Sequence, residues 1–130
     1  MVFDDLLLER QNKCEAYYTR GRHSNVDCFY LAQNYFKLPR QTIRENANFI
    51  CLFRQDLKNV NHVNHVYNDH ISSDMKKEEF RNVCKLAWEK PYGFVVVDLT
   101  SNRCKIAQIT KFYYFPIIIT NVIVTHRNAR

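Results

Sequence analysis

Glycine is nearly missing from this chain: 130 residues contain two, Gly21 and Gly93. An α/β domain that grips phosphate in a loop uses glycines there, because a backbone without Cβ can fold closely round the anion. No G-x-x-x-x-G-K-S/T stretch occurs in these residues, so the chain brings no phosphate cradle of its own. Paired cysteines are missing too. The five cysteines, at 14, 28, 51, 84 and 104, include no C-x-x-C spacing, which speaks against a disulfide scaffold or a zinc finger and for a reduced, intracellular compartment, cytoplasm or nucleus. Asp4 and Asp5 stand where a secretory leader needs a basic start and a long apolar run. The longest apolar stretch, 112–124, is too short and interrupted to cross a bilayer. Acid is absent from the end of the chain: residues 99–130 hold five Lys and Arg and no Asp or Glu, while residues 1–98 hold 14 basic against 13 acidic. The net charge of +6 is therefore mostly a tail property and is weak evidence for nucleic-acid binding by the body.

What is present fits one ordinary globular domain, 46% apolar and 25% charged. The most informative stretch is 28–54. An apolar run, Cys28 to Ala32, stops at two side-chain amides, Gln33 and Asn34, and a second run spans Phe49 to Phe53. Such short runs read as strands buried on both faces. Joined by a short helical turn opened by Pro39, they predict adjacent parallel strands of an α/β sheet. Ligands of such sheets sit outside the carboxyl ends of the strands, where Gln33 and Asn34 fall.

The other elements follow from periodicity. Met1 to Phe3 reads as a strand end followed by Asp4 and Asp5, and Leu6 to Tyr18 as a helix. Asp56 to Asn68 reads as a helix interrupted by the tandem repeat Asn61-His62-Val63-Asn64-His65-Val66. Three residues advance a helix by about 300° rather than a whole turn, so the repeat resembles an insertion. Asp74 to Glu89 is the strongest helix, with Asp74 as N-cap and an apolar face of Phe80, Val83 and Ala87 or Cys84, Ala87 and Trp88. Phe94 to Val97 is a buried strand ending at Asp98, and 105–124 is β-prone without turn chemistry. Residues 1–100 form the domain; 101–130 form a divergent basic tail, loosely docked or poorly ordered.

Two acids after an apolar strand match a Walker B pattern, with Asp4 as the Mg²⁺ ligand and Asp5 orienting or deprotonating the attacking water. Gln33 can bond a γ-phosphate or that water, with Asn34 beside it. Arg20 and Arg22 are candidates for an arginine finger acting across a subunit boundary. Arg40 and Arg44 read as a solvated helix face, or as contacts to phosphate or a neighbouring subunit. His62, His65, Asp69 and His70 have helical spacing but lack a fourth, cysteine companion, which disfavours zinc. The aromatic and basic residues of 111–115 are too few for a single-strand stacking platform.

Val2-Phe3-Asp4-Asp5-Leu6, Thr19-Arg20-Gly21-Arg22-His23, Tyr30-Leu31-Ala32-Gln33-Asn34-Tyr35-Phe36, Leu38-Pro39-Arg40, Ile43-Arg44, Tyr67-Asn68-Asp69-His70 and Tyr92 to Asp98 together resemble the genome-packaging ATPases of poxviruses, giant viruses, virophages and Polinton-like elements, of the FtsK/HerA superfamily. The resemblance runs in order through residues 1–100 and stops near Ser101. It implies the carboxyl half of a P-loop ATPase domain: a partial, mainly parallel sheet with flanking helices and the phosphate loop missing or upstream of Met1. It further implies ATP and Mg²⁺ as cofactors of the intact protein, double-stranded DNA as cargo, a homo-oligomeric ring, capsid proteins as possible partners, no membrane, and a place in a viral factory or virion. Asp4 and Asp5 then take the Walker B roles, Gln33 that of the strand-tip glutamine, and Arg20 or Arg22 that of the finger. The alternatives are a non-catalytic DNA-binding or assembly module, built on Arg20–Arg44 and the tail, and a decayed endogenous viral relic.

Overall fold

The computed structural model describes residues 1–4, 12–20, 26–54, 60–100, 105–109 and 122–126. The chain order is β1 (Val2–Asp4), α1 (Asn12–Arg20), β2 (Cys28–Ala32), a 3₁₀ turn (Tyr35–Lys37), a π-helical turn (Arg40–Arg44), β3 (Phe49–Phe53), α2 (Val60–Val66), a second π-helical turn (Tyr67–Ile71), α3 (Lys77–Trp88), β4 (Phe94–Asp98), β5 (Lys105–Ile109) and β6 (Val122–His126). The fold is mixed α/β.

The six strands lie in the order β1-β2-β6-β3-β4-β5. β1 pairs with β2 in parallel, Asp4 opposite Leu31. The other four pairings are antiparallel, which corrects the expectation of a mainly parallel sheet. β2 and β3 do point the same way, but they are not neighbours. β6 lies between them, antiparallel to both, with Tyr30 and Ile50 each opposite Val124. The physical reason is the β-prone tail: two of its stretches, β5 and β6, find backbone partners in the sheet.

Burial alternates along the strands, so the expectation of two fully buried faces also needs correction. Cys28, Tyr30 and Ala32 of β2 and Ile50 and Leu52 of β3 are buried, while Leu31, Phe49, Cys51 and Phe53 are half-buried and Phe29 is exposed. One face packs on the helices; the other is apolar but only partly covered. A two-residue period is what a sheet with one such face shows.

The helices seal the packed face. Phe80, Cys84 and Ala87 of α3 are buried with Val63, Val66 and Ile71, at the spacing of one helix stripe. Both valines of the tandem repeat thus enter the core. Arg81 of α3 bonds Asn64 Oδ1 at 2.9 Å, and the Trp88 indole donates to the Leu52 carbonyl at 3.2 Å. The N-cap of α3 is Lys76, whose N–H donates to the Glu79 carboxylate at 3.2 Å, so Asp74 is not the cap. Asp74 instead donates its N–H to the Ile71 carbonyl in the preceding turn. Cys14, Cys28, Cys51 and Cys84 are not in disulfides, and burial pushes the thiols of Cys51 and Cys84 up to about 11 and about 12.

Candidate functional site

Because β1, β2 and β3 point the same way, their carboxyl ends share one end of the sheet. Asp4 closes β1 there and is exposed. Gln33 follows β2 directly and is exposed as well. Asp4 lies opposite Leu31, and Gln33 is two residues further on. With strands about 4.8 Å apart and a rise of about 3.3 Å per residue, the two Cα atoms are about 8 Å apart. An acid and an amide thus meet solvent on neighbouring parallel strand tips.

Asn34 has a local task. Its Oδ1 accepts from the Lys37 N–H at 3.3 Å and caps the 3₁₀ turn, with the Leu38 N–H on the Tyr35 carbonyl at 3.1 Å. The turn holds the segment carrying Gln33 in a defined shape. Asp5 and Arg22 lie outside the described residues. Arg20 is the last residue of α1, exposed, where its charge complements the helix dipole. No described contact joins it to Asp4 or Gln33.

Arg44 overturns its reading as a solvated residue. It is 7% exposed, and its Nη1 bonds Asp69 Oδ2 at 2.8 Å. Its guanidinium also lies 5.3 Å from the Tyr35 ring centre and 5.6 Å from that of Phe36. A guanidinium leaves water when a carboxylate and aromatic faces replace its hydration, and here all three are supplied. Arg40, one turn earlier, stays exposed and pairs with Glu45 at 3.3 Å. The two arginines do not form one face.

Asp69 and His70 belong to the same cluster. The Tyr35 hydroxyl donates to Asp69 Oδ2 at 3.1 Å and lies 2.8 Å from His70 Nε2. Burial pushes the Tyr35 hydroxyl pKa up, reinforced by the Asp69 charge, and holds His70 below its ordinary value. Among the described residues no group of three His, Cys, Asp or Glu side chains is placed to hold a metal. His62 is buried with Nδ1 lacking a partner, and its pKa is lowered by that burial. His65 lies against Phe36 with ring centres 4.5 Å apart and the planes tilted by 30°.

Sequence reasoning gave no role to two further residues at the strand-tip end. Arg54, exposed, follows β3 as Gln33 follows β2, and the same signal, the first polar residue after an apolar run, identifies it. Tyr92 precedes β4, whose Phe94 is paired with Phe53 at the end of β3. It is 84% exposed with φ of 60°. The Gly93 N–H bonds the Lys90 carbonyl at 3.0 Å, so Pro91 and Tyr92 are the central residues of a type II turn, whose second position favours glycine. Glycine is needed one residue later: a Cβ at Gly93 would meet the Ala87 carbonyl oxygen at 1.8 Å.

Among the described residues no helix is long and apolar enough to cross a membrane. Comparisons with protein-family models, with curated proteins and with solved structures find no match to this chain.

Proposed function

We propose that this chain is the carboxyl half of a genome-packaging ATPase of the poxvirus, giant-virus and Polinton type, whose intact form couples ATP hydrolysis to movement of double-stranded DNA into a capsid. One observation carries the reading: Asp4 and Gln33 occupy the tips of adjacent parallel strands, as an acid that holds Mg²⁺ and an amide that reads the nucleotide require. Asp4 is exposed and fits a hydrated Mg²⁺ ion; Gln33 is exposed and fits a phosphate oxygen. The resemblance of the motifs through residues 1–100 supports the same reading, with Asp5 as the second acid and Arg20 or Arg22 serving a neighbouring subunit of a ring.

The fit is partial, and the missing part is specific. Bound ATP-Mg²⁺ would supply the transferable phosphoryl group and the charge that polarises it. The residues present would orient water and sense phosphate but would not cradle it, because no glycine-rich loop with a lysine exists among them. The chain alone is therefore expected to be inactive. The competing reading, a DNA-binding module built on Arg20–Arg44, loses one of its cations: Arg44 is buried and paired.

The test is to map the 5′ end of the transcript and read what is encoded in frame before Met1. A strand and a G-x-x-x-x-G-K-S/T loop are expected there. The extended protein should then hydrolyse ATP, with DNA stimulation, and lose turnover in Asp5→Asn and Gln33→Ala. An upstream frame without such a loop overturns the motor reading, as does hydrolysis by the 130-residue chain that disappears in those variants.

A further inference from the structure

The polar cluster of Tyr35, Arg44, Asp69 and His70 joins three segments that are far apart in sequence. Tyr35 opens the turn after Gln33 and Asn34, Arg44 ends the first π-helical turn, and Asp69 and His70 lie in the second. π-helical turns sacrifice regular hydrogen bonding and often accompany functional side chains. These two contribute three of the four members of one cluster.

The hydrogen-bond arithmetic is closed around the tyrosine. Its hydroxyl has one proton, donated to Asp69 Oδ2, so the 2.8 Å contact with His70 needs the histidine as donor through Nε2. The chain of bonds runs from His70 to Tyr35 to Asp69, and Arg44 meets the same carboxylate oxygen. Arg44 Nε is buried with no acceptor, so the guanidinium is held by the Asp69 bond and the aromatic rings. Glu45 adds a negative charge near His70. Tyr35 itself has no exposed surface.

We infer that Tyr35 is a positioning residue: its hydroxyl, fixed between Asp69 and His70, sets the place at which the strand tip presents Gln33. The link to the tip is short, a single capped turn from Asn34 to Lys37. The inference rests on the proposed function only in treating Gln33 as a working residue. The clasp itself is a property of this chain without nucleotide.

The test is amide hydrogen exchange by NMR on the 130-residue protein and its Tyr35→Phe and Asp69→Asn variants. The reporters are the Lys37 and Leu38 amides, bonded to the Asn34 and Tyr35 carbonyls. Loss of a charge-assisted bond is expected to speed their exchange about tenfold, with amides of α3 changing less than about twofold. An equal acceleration throughout the protein, or none at the turn, overturns the inference. A measurement on the unsubstituted protein serves if the variants do not fold: ring ¹⁵N shifts should place the proton of neutral His70 on Nε2, and a proton on Nδ1 alone overturns the arrangement. No arm uses ATP, so failure here leaves the motor reading standing, and an upstream frame without a phosphate loop leaves the clasp standing.

Discussion

Gln33 and Tyr35 are two residues apart and treat polarity in opposite ways. Gln33, with Asp4 across the strand pair, gives its amide to solvent; Tyr35 withdraws its hydroxyl and Arg44 its guanidinium, against an Asp69 whose side chain stays 24% exposed and a half-buried His70. The exposed pair makes little demand on the fold and is available to a ligand. The buried hydroxyl of Tyr35 and guanidinium of Arg44 are costly to desolvate and are retained because each finds a partner. The contrast separates what binds from what holds the binding residue still.

The comparison breaks most sharply at Arg44. Arg44→Ala removes the cation from Asp69 and the guanidinium packed against the Tyr35 and Phe36 rings, and is expected to lower stability by about 2 kcal/mol. The urea midpoint of the variant against the parent checks this. Tyr35→Phe keeps the ring and removes the hydroxyl from both of its contacts, for an expected loss of about 1–2 kcal/mol by the same measurement. Acid should also act on the clustered side. His70 and His62 are held below their ordinary value of 6.5 by burial. Between that value and the folded pKa the unfolded chain binds protons that the folded chain does not. Stability is therefore complete above 6.5, falls as pH drops through it, and levels off once the folded histidines charge. Denaturation midpoints at a series of pH values, with His70→Gln flattening the slope, test the sign. On the exposed side, Gln33→Ala and Asp4→Asn should each change stability by less than about 0.5 kcal/mol. A larger loss from either would place that residue with the structural group.

The strand cores were legible because they are local: Phe49–Phe53 and Phe94–Asp98 are short apolar runs with polar ends, and both are strands. Gln33 was legible for the same reason, as the first polar residue after such a run. The clasp was not. Arg44 and Asp69 are 25 positions apart, and each looks like an ordinary polar residue of an amphipathic helix until the fold brings them together. The apolar stripe of α3 could be narrowed to two sets by spacing, but the choice of Phe80, Cys84 and Ala87 depends on the neighbours it meets. The pairing of β6 was beyond pattern reading altogether, because Val122–His126 shows only that it favours a strand, not which edge takes it. The positive φ of Tyr92 was not legible, because Pro-Tyr-Gly reads as a loop whichever of its residues takes it.

The position of β6 has a consequence for how the protein is made. A ribosome releases this strand after every other described element. Until then the β-structure consists of two separate pieces, β1-β2 and β3-β4-β5, each with a bare edge where β6 will later bond. Unpaired edges recruit other chains, and waiting for a distant strand is slow. The newborn chain thus passes through a stage in which its two half-sheets are open to capture by copies of themselves or by a chaperone. A stop codon before Val122 would make that stage permanent.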